Sequence, residues 1–422
     1  MKQQHSQQQV YVIGVACTPF GRFAETSFKE LTRDAYLEVL ADAGLDDGGE
    51  IEQAWFGNCG LGAVGQSSIR GQVCFTPLVR DGLFPERVPI INVEGGCATA
   101  SMAFHGAWKD ILSGQCELSL AIGVEKTWFP EDASITQRIF DGGIDQLDRS
   151  EWIAYYRQAG AVAGKPFEPE QAKGTVFMDT YAMQAAYHMK TWGTTREHIA
   201  TAAAKNHDMG ALNDKAQYRF RMTPEQVLQD REISWPLTRS MCAPIGDGAA
   251  AALLCSEAFL RRQTPAVQER AIKISASVLS GGKYRALDEP SLSAVAAQRA
   301  YAQAGIAPAD VSVAEVHDAT SFCEIYQAEM MGFCEPGQGG PFVASGGTSL
   351  GGRIPINLSG GLVSKGHPIG ATGLSMIYEV AGQLRGEAGE RQSQGADIGL
   401  IENGGGVMGF DEAACSVVIL RR

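Results

Sequence analysis

The feature that most constrains this chain is one turn that occurs in both of its halves. Asn92-Val-Glu-Gly-Gly96 recurs as Asn357-Leu-Ser-Gly-Gly361, 265 positions later. A second pair of segments, 41–45 (Ala-Asp-Ala-Gly-Leu) and 302–306 (Ala-Gln-Ala-Gly-Ile), keeps the order and nearly the same offset. Two matches in order at similar spacing indicate an internal duplication. We therefore predict two related halves.

Each half begins with a strand followed by a helix. Residues 10–15 are a β-branched apolar run, and the helical spacing of Phe28–Ala43 follows it and ends at a glycine. Residues 272–278 and Leu292–Ala304 repeat this arrangement, again with a glycine after the helix. Glycine is the usual residue just past a helix C-terminus. Strands that alternate with helices predict α/β halves whose sheets are covered by helices.

The block between the halves has a different pattern. It is aromatic, charged and contains histidines, without strong strand signals, so we predict an inserted helical and loop region with helices at 180–191, 195–207 and 224–229. Insertions over the strand ends of an α/β scaffold often shape a substrate pocket, so we assign ligand binding to this region. The predicted division is an N-terminal half of 1–124 plus 240–265, an inserted region of 125–239, and a C-terminal half of 266–422.

Charge and cysteine usage exclude several classes of protein. The formal net charge of -13 argues against a nucleic-acid partner held by phosphate neutralisation. Residues 1–9 are polar and no run of about 20 apolar residues occurs, so neither a signal peptide nor a membrane insertion is predicted. The ten cysteines form no CxxC pair, and Cys17, Cys74 and Cys255 lie in apolar runs. We expect buried free thiols in a cytoplasmic protein, with neither disulfides nor a zinc site.

Cys97 stands where an apolar strand meets two glycines and then a helix of small residues. Glycines permit a sharp turn, and a thiol at that turn faces outward. The start of the following helix favours a thiolate through its unpaired N–H groups and dipole. The backbone N–H of Cys97 is also placed to stabilise an oxyanion on an attacked thioester. We predict that Cys97 is a nucleophile.

His367 lies in Ser359-Gly-Gly-Leu-Val-Ser-Lys-Gly-His-Pro-Ile-Gly-Ala-Thr-Gly373, where five glycines flank one imidazole. This density of glycine suggests a backbone held close to a ligand or to another loop. Because Asn357 to Gly361 repeats the turn before Cys97, a duplicated fold brings His367 and Cys97 together across a pseudo-twofold axis. That arrangement suits a Cys-His pair.

These motifs resemble the thiolase family over nearly the whole chain. The resemblance rests on Asn-x-x-Gly-Gly-Cys-Ala-x-x-Ser, on Gly-His-Pro-x-Gly-Ala-Thr-Gly, and on the segment that starts at Cys242. Within the family the chain is similar to the sterol-carrier-protein type (lipid-transfer) thiolases and to acetyl-CoA acetyltransferases, because Val316-His-Asp-Ala-Thr-Ser321 stands where that type carries His-Asp-Cys-Phe. The resemblance implies the duplicated five-layer αβαβα thiolase fold with an inserted region.

The resemblance also implies roles for individual residues. It makes Cys97 the acyl-accepting nucleophile, His367 its base, and His317 the partner of His367 in one oxyanion hole. Gly404 matches the glycine whose N–H forms the second oxyanion hole with that of Cys97.

The chain departs from the family in lacking the second catalytic cysteine, which handles the α-proton of the acyl group. The C-terminal loop reads Glu402-Asn-Gly-Gly-Gly406, and Ala319 replaces the cysteine of the sterol-carrier type. Three readings stay open. In the first, burial raises the pKa of Glu402 and makes it the base. In the second, Cys323, one helical turn beyond Ala319, takes the place of the missing cysteine. In the third, the chain no longer performs thiolysis.

We therefore predict an acyltransferase that forms or cleaves a 3-oxoacyl-CoA through acyl-Cys97, with CoA as substrate and no bound metal or cofactor. As a family inference, it is a homodimer or a dimer of dimers. The alternative is a thiolase-like subunit that works with a small zinc-ribbon/OB-fold partner on an unusual CoA ester, as a specialised thiolase, acyltransferase or retro-aldolase. A non-catalytic lipid-binding protein fits less well, because nothing would then require the Cys97–His367 pair. Weaker candidates are His188 and His207 for packing, and Lys126, Arg219 and Arg221 for CoA phosphates.

Overall fold

The computed structural model describes residues 8–169 and 175–422. Most of the polar N-terminal segment and residues 170–174 of the predicted inserted region lie outside the described residues. The described strands are listed in chain order as β1 to β11: Val10–Cys17, Gln53–Gly57, Ile90–Val93, Leu118–Glu125, Glu232–Ser234, Leu237–Thr238, Gly248–Ser256, Ile272–Gly281, Val313–Val316, Ile398–Gly405 and Ala414–Arg421.

The described helices are listed in the same way as α1 to α15: Phe28–Ala43, Arg70–Arg80, Thr99–Leu112, Ala133–Asp141, Arg149–Ala163, Val176–Trp192, Arg196–Ala211, Pro224–Gln229, Glu257–Leu260, Pro265–Arg270, Leu292–Ala304, Ser321–Met330, Gly339–Ala344, Gly361–Lys365 and Thr372–Arg385. The predicted strand and helix pairs at the start of each half are present. The glycines after α1 and α11 adopt the left-handed conformation that the pattern predicted.

The sheet shows the duplication directly. Nine strands join in the order β3-β2-β4-β7-β1-β8-β11-β10-β9. A parallel bridge from Ala314 in β9 to Ile356 adds the counterpart of β3 at the far edge. Corresponding strands of the two halves therefore occur in the same order when each half is followed from its outer edge to the centre of the sheet. The two halves meet where β1 pairs with β8 through only two residue pairs, Tyr11 with Lys273 and Val12 with Ile272.

Five layers result from the way the helices cover the two halves of this sheet. Helices α1 and α2 pack on the outer face of the N-terminal half, and α11 and α12 pack on the outer face of the C-terminal half. Helices α3 and α15 lie between the halves in one apolar cluster. Ten of the 14 residues of α3 and twelve of the 14 of α15 are buried, as a helix enclosed by two sheets requires. The predicted αβαβα arrangement is therefore present.

Helices α4 to α8 and the β5–β6 hairpin form the region between β4 and β7. The three helices predicted there correspond to α6, α7 and α8, and α7 begins one residue later and ends four residues later than predicted. Helix α7 packs against α12 and α13, and α5 and α6 pack on Val407 and Phe410, which follow β10. This region thus covers the C-terminal ends of the strands that lead into the two repeated glycine turns. None of the described helices is both long enough and apolar enough to cross a membrane.

Candidate active site

Two glycine turns with matching geometry place the central side chains. Gly96 and Gly361 occupy the same position in the repeat and adopt φ angles of 57° and 58°, a left-handed conformation that favours glycine. Gly96 leads into a short 3-10 turn that holds Cys97, and α3 begins two residues later. A side chain at Gly405 would overlap the backbone nitrogens of Cys97 and Ala98, so the loop after β10 closes directly on the cysteine backbone.

The structure brings Cys97 and His367 together from the two halves. The Sγ atom of Cys97 lies 3.0 Å from Nε2 of His367. On the other side of the ring, Nδ1 lies 2.7 Å from the hydroxyl oxygen of Thr372, and that hydroxyl donates its proton to the carbonyl of Pro368. The Thr372 oxygen therefore accepts a hydrogen bond from Nδ1–H. This fixes the tautomer in which Nε2 is unprotonated and ready to accept the proton of the thiol.

Burial sets the resting charge of this pair. It lowers the pKa of His367 well below its ordinary value, and the nearby His317 and Lys365 lower it further. Burial also raises the pKa of Cys97, and the neighbouring Cys59 adds to the increase. The predicted stabilisation of a thiolate by the start of α3 is therefore outweighed by burial. At rest the pair is a thiol and a neutral imidazole, with proton transfer left for the encounter with substrate.

His317 stands just beyond β9, beside His367. The two ring centroids are 5.1 Å apart, and Nε2 of His317 is buried with no hydrogen-bond partner among the described residues. Burial lowers its pKa to about 4, so the ring is neutral at physiological pH. A buried polar atom without a partner suggests a site that a substrate atom completes. The thiol sulfur of Cys97 and one ring nitrogen each of His317 and His367 lie within 4.8 Å of one another. Such atoms can ligate a metal ion, so the expected absence of a metal stays a prediction.

Glu402 occupies a different place from the one expected of it. Its carboxylate accepts hydrogen bonds from the hydroxyl of Ser293, 3.1 Å away, and from the backbone N–H of His317, 3.0 Å away. The thiol of Cys415 lies 3.5 Å from the same carboxylate. Burial and then the charge of Glu412 raise the pKa of Glu402 to about 8, in the direction that the sequence predicted.

Strand alternation explains this position. Side chains alternate between the two faces of β10, and position 402 shares the α11 face with Leu400 rather than the central face of Ile401. Glu402 is therefore directed into the C-terminal half and does not line the cavity around Cys97. This corrects its expected position.

A cavity of about 570 Å³ opens at the Cys97–His367 pair. Its walls are mostly apolar and include Phe140, Phe177 and Met178 from the region between β4 and β7. Ala319, the residue that replaces a family cysteine, also lines it. A mostly apolar cavity with a few polar groups at one end is the usual form of a small-molecule site.

Two polar residues of this cavity, Cys59 and Tyr181, were not identified from the sequence. Cys59 follows β2, and because β2 and β3 are parallel neighbours, the residues after both strands meet at one edge. That relation was available as a signal once the strands were paired. Tyr181 lies inside α6, where no local motif marks it.

The other candidates lie outside the cavity. Cys323 is buried, and burial raises its pKa to about 12. His188 bonds Thr194 and Glu329, and His207 bonds the carbonyl of Ser240. Lys126 pairs with buried Asp247, so it is not free to meet a phosphate. Arg219 and Arg221 are exposed beside α8.

Two family models cover most of this chain. "Thiolase, N-terminal domain" matches residues 10–233, and "Thiolase C-terminal domain-like" matches residues 283–421. The chain belongs to the thiolase family. The predicted family and fold are thereby confirmed.

Relatives of this thiolase include both types named in the resemblance. The acetyl-CoA acetyltransferase of Methanothermobacter thermautotrophicus is 35% identical over 408 residues, which cover 95% of this chain and 97% of that protein. Sterol carrier protein 2 of Rattus norvegicus is 33% identical over 427 residues, which cover 96% and 73%. The solved structure of an "Ltp2-ChsH2(DUF35) aldolase" has a TM-score of 0.76 at 23% identity and covers 98% of this chain and 97% of its own; it bears on the fold alone. This thiolase is an acyltransferase that acts on acyl-CoA.

Proposed function

We propose that this thiolase forms or cleaves a 3-oxoacyl-CoA with Cys97 as the nucleophile and His367 as its base. The observation that carries the proposal is the 3.0 Å contact between the thiol and Nε2, with the tautomer fixed by Thr372. His367 takes the proton of Cys97 as the sulfur attacks the C3 carbonyl. The imidazolium that forms then pairs with the developing negative charge.

Two sets of donors stabilise the oxyanions. The backbone N–H groups of Cys97 and Gly404 serve the tetrahedral intermediate on Cys97, and the close packing of the 404–406 loop on Cys97 supports this assignment. The unpartnered ring nitrogen of His317, next to His367, serves the enolate oxygen of the departing thioester. Preorganised donors of this kind are worth roughly 10²–10³ in rate each.

The cleavage direction then proceeds in two half-reactions. Breaking the C2–C3 bond leaves an acyl group on Cys97 and the enolate of a shortened acyl-CoA, which is protonated at C2. Free CoA attacks acyl-Cys97, carries away the acyl group and returns the thiol. Condensation is the reverse sequence.

The assignments of domains, location and oligomeric state belong to the same proposal. We assign residues 125–239 to substrate and CoA binding, because Phe140, Phe177 and Met178 from this block line the cavity. The halves are taken as 1–124 plus 240–265 and 266–422. The cysteines are all unpaired, which supports a cytoplasmic location. We also propose a homodimer or dimer of dimers that acts in lipid metabolism, with CoA as substrate and no permanent cofactor.

A second candidate is a subunit that works with a small zinc-ribbon/OB-fold partner on an unusual CoA ester. The fold that the chain shares with the Ltp2-ChsH2(DUF35) aldolase is compatible with it. A retro-aldolase needs no acyl-enzyme, however, so the intact Cys97–His367 contact favours the acyl-transfer reaction.

The test is CoA-dependent cleavage of acetoacetyl-CoA and of 3-oxo-3-phenylpropanoyl-CoA by the purified chain alone. We expect thiolysis of at least one, and a loss of about 10⁴-fold or more in Cys97→Ala, because removal of a nucleophile abolishes the covalent route. Cys334→Ser, which changes a half-buried thiol outside the cavity, is the matched control. CoA-independent cleavage of a 3-hydroxyacyl-CoA, without thiolysis, would favour the retro-aldolase instead.

A further inference from the structure

A carboxylate that no sequence motif marks lies against the proposed oxyanion hole. Glu412 is half-buried in the turn between β10 and β11. A side chain at Gly404 would overlap its Cγ atom, so the carboxylate arm lies directly over that glycine. The absence of a side chain at position 404 therefore makes room for Glu412.

The turn that carries Glu412 reaches the Cys97 cavity. Ala413, the next residue, lines the cavity together with Gly406 and Tyr181. The charge of Glu412 raises the pKa of both Cys97 and Tyr181.

The guanidinium of Arg285 offsets the charge of Glu412 only in part, lowering the pKa that burial raises. Among the described residues, no side chain donates a hydrogen bond to it or forms an ion pair with it. The nearest arginine, Arg285, is held by Asp411 at 2.7 Å and donates to Tyr326 as well. Burial raises the pKa of Glu412 to about 7, and the charge of Asp411 adds to the increase. Such a group carries a proton part of the time at neutral pH, as an acid or base in catalysis must.

We propose that Glu412 is the catalytic acid and base that exchanges the proton at C2 of the substrate. The inference rests on the proposed function, because it is the oxyanion hole of Cys97 and Gly404 that fixes the attacked carbonyl. C2 is one bond from that carbonyl carbon, so the group that serves it must lie beside Gly404. Glu412 occupies that place, and the two family cysteines are absent.

The proton balance closes with this assignment. During cleavage, the electrons of the C2–C3 bond move to the thioester as an enolate, and protonated Glu412 delivers its proton to C2. CoA then gives its thiol proton to the Glu412 carboxylate and attacks acyl-Cys97 as a thiolate. Cys97 leaves and recovers its proton from His367. Each group ends in its starting state, and no further reactant is needed.

Three other polar groups in or near the cavity are less suited to this role. Both oxygens of Glu402 already accept hydrogen bonds from Ser293 and from the backbone of His317. The thiol of Cys59 bonds Thr99, and burial raises its pKa to about 12. Burial also raises the pKa of Tyr181 well above its usual value, so the phenolate needed for condensation is scarce at neutral pH.

The experiment separates loading of Cys97 from exchange at C2. Wild-type protein and Glu412→Gln are incubated with acetyl-CoA in D₂O; acetylation of Cys97 is followed by intact mass, and deuterium uptake into the acetyl-CoA methyl by NMR. We expect Glu412→Gln to acetylate within about threefold of wild type and to lose exchange by about 10²-fold or more, since general acid–base catalysis contributes roughly 10²–10⁴. Glu412→Asp should recover part of the exchange. Glu269→Gln, the same change at an exposed glutamate of α10, is the control.

Distinct results would overturn this assignment. Full exchange by Glu412→Gln would exclude the role, and so would an equal or larger loss in Glu402→Gln, Cys59→Ser or Tyr181→Phe. Loss of acetylation together with exchange in both Glu412 variants would show a structural role instead. If wild-type protein exchanges deuterium but Cys97 is never acylated, the proposed function fails. If Cys97 is acylated and only the prediction for Glu412 fails, the proposed function stands.

Discussion

The turns of the two halves begin alike and end differently. Gly96 and Gly361 share one backbone conformation, and each turn leads toward one of the two enclosed helices. Three positions separate Gly96 from the first residue of α3, whereas eleven separate Gly361 from the first residue of α15. The shorter connection presents Cys97 at the start of its helix. The longer one has room for a short helix and a loop that carries His367.

The difference shows how a duplicated scaffold acquires two distinct chemical groups at one point. The N-terminal turn supplies the thiol, and the extra residues of the C-terminal turn supply an imidazole and the hydroxyl that orients it. Thr372, the first residue of α15, accepts from His367 and donates to Pro368 within the same segment. The N-terminal half therefore depends on the C-terminal half for the protonation state of its thiol.

Of the substitutions that test the difference between the two turns, Thr372→Val should have the largest effect on the rate. The substitution removes the acceptor of Nδ1–H, so the ring can adopt the tautomer whose protonated Nε2 cannot accept a proton from Cys97. A hydrogen bond of about 1–1.5 kcal/mol corresponds to roughly a tenfold loss of kcat/KM. Thr372→Ser should restore the rate, because it keeps the hydroxyl. The pH profile of Cys97 alkylation by iodoacetamide reports the same change on the thiol itself.

Thr76→Val is the matched control, since Thr76 also donates to a carbonyl four residues earlier but is exposed on α2. A loss of equal size in Thr372→Ser, or an unchanged alkylation profile in Thr372→Val, would contradict a role in orienting the ring.

The halves also differ in how they hold their buried carboxylates. Glu125, at the end of β4, accepts hydrogen bonds from the backbone N–H groups of Cys59 and Gly60. Glu402 has Glu412 as a close neighbour of the same charge, which adds to the effect of burial. Burial raises the pKa of Glu125 to about 7, against about 8 for Glu402. Glu402 therefore retains its proton well above the ordinary glutamate range.

A smaller effect, on stability, follows from this difference. Between the ordinary glutamate pKa of about 4.5 and about 8, the folded protein keeps a proton on Glu402 that the unfolded chain has lost. The free energy of unfolding should therefore fall as pH rises through this window, by up to about 1.4 kcal/mol per pH unit from this group. Glu402→Gln should flatten the fall, measured by urea unfolding at pH 5.5 and 7.5. Glu269→Gln should match wild type, and an unchanged slope in Glu402→Gln would contradict the raised pKa.

Much of the fold was predictable because it follows from local patterns. The repeated turn, the strand–helix pairs and the glycines after α1 and α11 depend on residues close in sequence. The contact between Cys97 and His367 was predictable for a different reason, since the duplication relates the two turns by symmetry. The joining of the halves through β1 and β8 had no sequence signal, because two residue pairs at a sheet centre leave no pattern.

The side chains around C2 were beyond prediction for reasons of geometry. Which face of β10 carries Glu402 depends on strand register, and one position of shift would turn it toward the cavity. Glu412 lies in a turn without a motif, and only the packing of that turn on Gly404 reveals it. Tyr181 reaches the cavity because α6 packs over the sheet edge. These relations are tertiary, so no local pattern contains them.

The most direct test of this account is the mass of the protein after brief incubation with a 3-oxoacyl-CoA in the absence of free CoA. Acetoacetyl-CoA and 3-oxo-3-phenylpropanoyl-CoA serve as probes, followed by peptide mapping. The account predicts one acyl group on the peptide that contains Cys97, absent from Cys97→Ala and removed when CoA is added. An unmodified Cys97 during active cleavage, or an acyl group on another residue, would contradict it.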